Sequence, residues 1–150
     1  MQIFDIAPAT GRTLLFFLPI ILVPLVILVV VFAASLSGMK SARFEVSNAG
    51  LRLSGDLYGR TIPVGDLLGG SAKRVDLNEP SEYRPTRRTL GTGLPGYRAG
   101  WFRLRNGEKA LLYVTDTSKV VYIPTRAGYA VMLTPGDPDA FLNALRSIAP

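Results

Sequence analysis

Six arginines, Arg84, Arg87, Arg88, Arg98, Arg103 and Arg105, fall between Tyr83 and Gly107, and that stretch contains no acid. A guanidinium stays charged and offers a planar fork of donors that fits phosphate and carboxylate. Such a run binds anions; it does not make or break bonds. Its plain meaning is a solvated basic segment. Its functional meaning is contact with anionic lipid headgroups, where each cation near the surface contributes about 1 kcal/mol. Nucleic acid is the weaker partner, because the interleaved aromatics are few: Tyr83, Tyr97 and Trp101. Trp101 is the one Trp. Strand alternation places it with Arg103 and Arg105 on one face, and Phe102 and Leu104 on the other. A two-residue loop at Asn106-Gly107 would set Leu112 opposite it. There it either rests at a bilayer interface or packs into the core.

The chain has 150 residues, with no Cys and no His. Disulfide scaffolds, zinc fingers, thiol nucleophiles, His-dependent triads and His-ligated metal sites are therefore excluded. Gly91-Thr92-Gly93-Leu94-Pro95-Gly96 matches a dinucleotide-binding pattern by letter. That site needs a preceding strand and a following helix. Pro95 and the extended Tyr97–Arg105 segment deny it that context, so the stretch reads as a flexible loop. Glu79 and Glu82 flank Pro80, and Asp137 and Asp139 begin a helix, so neither pair is a general acid and base. No catalytic residue, metal ligand or cofactor is assigned, and no enzyme activity is expected.

The elements that must position the arginines are mainly strands. Phe44–Ser47 and Leu51–Ser54 alternate around a turn at Asn48-Ala49-Gly50. Leu57–Val64 is extended, with Pro63 suited to an edge or a strand end. Gly65–Gly70 turns, and Ala72–Leu77 reads as a fourth strand. Asn78–Gly100 is loop-like, and loops of that length tend to carry function or to move. Trp101–Arg105 and Glu108–Thr115 flank Asn106-Gly107, the strongest hairpin signal in the chain. Lys119–Pro124 and Tyr129–Leu133 follow. Asp137-Pro138-Asp139 supplies an N-cap, a Pro at the first helical position and an acid in the first turn. Phe141, Leu142, Leu145 and Ile148 then mark one helical face. Six or seven antiparallel strands followed by that helix predict a small barrel or sandwich.

Hydrophobic residues make up 48% of the chain, concentrated at its start. Leu14–Leu36 is uncharged throughout. As a helix it is long enough for a hydrocarbon core of about 30 Å. Pro19 and Pro24 kink it, yet a bilayer still demands a helix. The expected organisation is a tail at 1–13, a transmembrane helix at 14–36, a tether at 37–42 and a domain at 43–150. Signal peptides have shorter apolar cores than this, which favours an anchor over cleavage near Ala33-Ala34-Ser35. Arg12 precedes the span, and Lys40, Arg43 and Arg52 follow it. The positive-inside rule therefore places the C-terminal domain in the cytoplasm. The tether reaches at most about 20 Å when extended, which holds the domain near the surface.

Strands followed by one amphipathic helix resemble a pleckstrin-homology (PH)-like barrel. Gly96–Thr115, Val121–Thr125 and Leu133–Leu145 are similar to the bacterial PH-like domain family, over roughly residues 43–148. The resemblance implies a PH-like β-barrel that often follows transmembrane helices, with no shared catalytic residues. Together with the single span at 14–36, the resemblance gives the expectation of a bacterial plasma-membrane protein with a single-pass anchor. Phosphoinositide binding does not carry over, because the Phe44–Ser54 hairpin lacks a matching signature. The expected function is an interaction module for a protein partner or anionic lipid. Its site candidates are Arg84, Arg87, Arg88, Arg98, Trp101, Arg103 and Arg105. The competing readings are an accessory or enzymatic barrel with a small-molecule pocket, and a secreted domain released by cleavage.

Overall fold

The computed structural model describes residues 12–55 and 57–150, with side chains at 17–34, 42–55 and 57–150. Residues 1–11, most of the expected tail, lie outside the described residues. The chain divides into two compact units, one ending at Ser37 and the other spanning Gly38–Pro150.

Helix α1 runs Arg12–Ser41, with Pro19 and Pro24 inside it. Residues 37–41, expected to be part of a tether, are helical. Its Phe17–Ala34 window has a mean hydropathy of 3.1 and is long and apolar enough to cross a membrane. A signal sequence near an N-terminus passes the same test. Its described side chains from Phe17 to Phe32 are exposed all round, as lipid-facing side chains would be.

The second unit holds two sheets. Strands β1 (Arg43–Ser47), β2 (Gly50–Ser54) and β3 (Arg60–Pro63) form an antiparallel sheet of three. Pro63 ends edge strand β3, where its missing N–H costs no ladder bond. The larger sheet contains β4 (Lys73–Val75), β5 (Pro85–Leu94), β6 (Tyr97–Leu104), β7 (Lys109–Val114), β8 (Val120–Pro124) and β9 (Ala130–Leu133). Its spatial order is β4-β8-β9-β7-β6-β5. The sheets do not close into a barrel. Beside the strand ladders, an isolated bridge between Leu67 and Thr125 ties the chain after β3 to the end of β8. The ladder is not wholly antiparallel either, because β9 inserts beside β7 in parallel register.

Alternation along the central strands explains the layering. Leu111 and Tyr113 of β7, Val121 and Ile123 of β8, and Val131 and Leu133 of β9 face the small sheet. Leu51, Leu53 and Ile62 meet them from that sheet. Ala110, Leu112, Val114, Val120, Tyr122, Ala130 and Met132 face the other way, into a second core. Both faces are apolar, so both need a cover.

Helix α2 (Pro138–Ile148) helps to cover the first face. The Asp137 carboxylate accepts from the backbone N–H groups of Asp139 and Ala140 at 3.1 and 3.0 Å, with Pro138 at the first helical position. Leu142 and Leu145 are buried, while Phe141, which the sequence sets on the same helical face, is half-buried. The helix end lies so close to Gly69 that a Cβ there would sit 2.2 Å from the Ala149 carbonyl oxygen.

A strap, residues 76–84, covers part of the second face with Leu77 and Tyr83. Its Leu77 N–H donates to the Thr117 carbonyl at 2.8 Å, and the Arg105 N–H donates to the Arg84 carbonyl at 2.9 Å. Tyr83 packs on Tyr122, with ring centroids 4.5 Å apart, and Lys73 donates to the Tyr83 hydroxyl at 2.7 Å. Tyr122 in turn donates to Glu108 at 2.8 Å. Burial, and then that bond to Glu108, push the Tyr122 phenol above its ordinary range.

All residues of both buried cores lie between Leu51 and Ala149, so the second unit carries its whole interior. Leu145 is 0% exposed, and Leu145→Ala should cost about 2–5 kcal/mol. Phe141→Ala should cost less. Thermal melts of residues 38–150 check the order of the two, and equal losses would contradict the packing described.

Candidate functional site

The site begins with β5, which the sequence reads as loop. Its residues are polar, glycine-rich and largely exposed because it is the edge strand of the sheet. Register breaks between Pro85 and Arg87, and again between Arg88 and Leu90, add residues to β5 that β6 does not match. Such bulges bend a strand. The Thr86 and Thr89 hydroxyls donate to the carbonyls of Arg103 and Trp101 at 3.1 and 3.0 Å, fastening the irregular stretch to β6.

Beyond the bulges, Gly91 pairs with Gly100, and both have positive φ, +136° and +114°. The two backbones approach so closely that a Cβ on Gly91 would lie 2.2 Å from the Ala99 carbonyl oxygen. The hairpin closes through Leu94-Pro95-Gly96-Tyr97, with Gly96 at φ +76°. Pro followed by Gly with that sign suits a type II turn. The glycines of the apparent nucleotide motif therefore shape a bent hairpin.

Where this hairpin faces the end of β7, it forms a cleft of about 700 Å³. Arg87, Arg88 and Arg98 line it, with Thr86, Thr115 and Thr117 as hydroxyl groups. Phe102, Val114 and Tyr97 give it apolar walls. No carboxylate lines it among the described residues. The one ion pair among the described residues, Arg74–Asp139, involves none of the three arginines. Asp116, between Thr115 and Thr117, is already engaged: its Oδ1 accepts from the Ser118 hydroxyl at 2.6 Å and the Ser118 N–H at 2.9 Å. Those bonds, and then Lys119, hold its carboxyl below the usual range. Three cations thus share an open cleft with hydroxyl donors and no carboxylate in its described lining.

The seven expected site residues separate into four places. Arg87, Arg88 and Arg98 meet in the cleft. Arg84 ends the strap and Arg105 stands in the β6–β7 turn, joined by their backbones. Arg103 is exposed and donates to the Gly107 carbonyl at 2.7 Å. Trp101 is half-buried against the inter-sheet core, edge-on to Tyr129 at 5.0 Å. Arg60 and Lys109 lie over its ring at 4.7 and 4.3 Å. It is therefore a cation–π clasp between β3 and the large sheet. Its partner is Leu111, not Leu112, because the turn spans three residues, Arg105–Gly107. The threonines and Phe102 were not foreseen as site residues. They become visible only once β5 is known to be a strand.

The cleft is lined by basic, hydroxyl and apolar side chains. Its lining contains no carboxylate, imidazole or thiol, and no group of three or more metal-ligating side chains exists among the described residues.

A three-stranded and a six-stranded sheet ending in one C-terminal helix have the layout of a PH-like domain. Residues 42–149 match the family model for the bacterial PH domain, and the chain belongs to that family. Comparison with curated proteins and with solved structures finds no match.

Replacing Gly91 or Gly100 with Ala should strain the hairpin by about 1–3 kcal/mol and distort the cleft. Urea unfolding should show the loss. Wild-type stability in either variant would mean that the close Gly–Gly approach carries no constraint.

Proposed function

We propose that this chain is a membrane-anchored PH-domain interaction module whose cleft takes anionic groups, lipid headgroups first. The carrying observation is the convergence of Arg87, Arg88 and Arg98 on a lining free of carboxylates. Guanidinium groups without counter-charge gain from an added anion, because their mutual repulsion falls as their hydrogen bonds are filled. The apolar α1 supports a bilayer as the nearby source of such anions. The basic residues after that helix favour a cytoplasmic domain, where the leaflet is negatively charged. The absence of an acid–base set from the cleft supports a binding role over an enzymatic one.

A second reading has its own support. Strand β5 is a free edge of ten residues, and an extended acidic peptide could add to it.

Residues 38–150 should co-sediment with anionic vesicles more than with neutral ones. Arg87→Ala/Arg88→Ala/Arg98→Ala should remove the difference, on the order of 3 kcal/mol if all three face headgroups. Added salt should weaken binding, since screening acts over about 8 Å at physiological strength. Arg84→Ala, outside the cleft, should have a smaller effect. Indifference to lipid charge would leave the protein-partner reading.

Anchoring is tested separately. Alkaline carbonate should leave the full-length chain in the membrane pellet. A soluble product beginning near Ser35 or Leu36 would instead establish cleavage.

A further inference from the structure

We infer that the β5–β6 turn, Leu94-Pro95-Gly96, is an insertion tip that seats the arginine cleft on an anionic bilayer. This rests on the reading that the cleft takes anionic headgroups. From Thr89 to Tyr97 the sequence is TLGTGLPGY, with no charge, and it is bounded by Arg88 on one side and Arg98 on the other. The fold converts that order into depth. Leu94 pairs with Tyr97 at the turn, and Gly93 pairs with Arg98 one rung behind.

Arg88 reaches toward the same level along β5. Its Nη1 lies 3.7 Å from where a Cβ on Gly93 would stand. Two guanidinium groups thus form a collar at the base of the turn, and both line the cleft. Beyond the collar, Pro95 and Gly96 are exposed, and Leu94 is 36% exposed.

An apolar tip followed by cations matches the layering of a membrane surface, where acyl chains lie beneath phosphates. The tip is also inexpensive to dehydrate. Pro95 has no N–H to leave unsatisfied, and its ring fixes φ, so little freedom is lost on insertion. A free phosphate ester would use the collar and have no use for the tip, which is why the bilayer is the favoured source. Leu90, 60% exposed, is not part of this device: it pairs with Trp101, four residues back from Leu94 and the turn, and does not line the cleft.

The chain has no Cys, so one introduced thiol labels one place. Leu94→Cys would carry an environment-sensitive nitrobenzoxadiazole dye, in the full chain reconstituted into nanodiscs. Phosphatidylcholine discs would be compared with discs that also contain phosphatidylglycerol. In anionic discs the dye should shift to the blue, brighten several-fold and be quenched by doxyl-labelled lipid. Arg87→Ala/Arg88→Ala/Arg98→Ala should abolish that response, and the same dye on Ala127→Cys should not show it. Calorimetry with glycerol 3-phosphate on the full chain in neutral discs gives the second readout.

If the dye on the Leu94→Cys variant stays aqueous while glycerol 3-phosphate binds through the three arginines, the cleft takes a free ester and the tip is overturned. If the dye stays aqueous and no phosphate binds, the cleft reading falls with it. Equal insertion into neutral and anionic discs would overturn the claim that the arginines seat the tip.

Discussion

Burial of the large sheet on both faces is the constraint on which the rest of this domain depends. Strands β7, β8 and β9 carry apolar residues at successive positions, so neither face can meet water. One face is covered by the three-stranded sheet and α2. The other is covered in part by the strap that carries Leu77 and Tyr83. Beside that strap, the sheet continues into the bulged β5–β6 hairpin, whose inward side forms the cleft with the end of β7. The site is thus a product of how a two-faced sheet ends.

Polar and apolar requirements meet at that border. Phe102 and Val114 belong to the second core and also wall the cleft. The arginines sit where the sheet opens to solvent, so their charges stay hydrated while their stems rest near apolar surface. Full burial of three unpaired guanidinium groups would be prohibitive. A shallow cleft is the compromise that leaves them available to an anion. The family assignment describes the scaffold, and the cleft's own chemistry supplies the functional reading.

Much of the fold was legible in local sequence. The β1–β2 turn, the Asn106-Gly107 hairpin and the Asp137-Pro138 helix start are short-range signals, and each lies where its residues indicate. Three features were not legible. Strand β5 lacks alternation because it is an exposed edge with two bulges and three glycines, Gly91, Gly93 and, just past its end, Gly96. The parallel β7–β9 pairing depends on β8 stepping outside, which no local pattern records. The register of the β6–β7 hairpin moved by one residue because Arg105 joins the turn. For the site, the arginine run was visible by composition. Which three of the six converge was settled by β5 and its bend, and Trp101 was drawn away by Arg60 and Lys109.

The placement of Trp101 gives the molecule an unplanned optical property. It is the chain's sole Trp, and it is held between a β3 cation, a β7 cation and Tyr129. Its emission therefore reports the spacing between the two sheets. Because Trp101 packs against the inter-sheet core and does not line the cleft, separation of the sheets acts on it directly and occupation of the cleft does not.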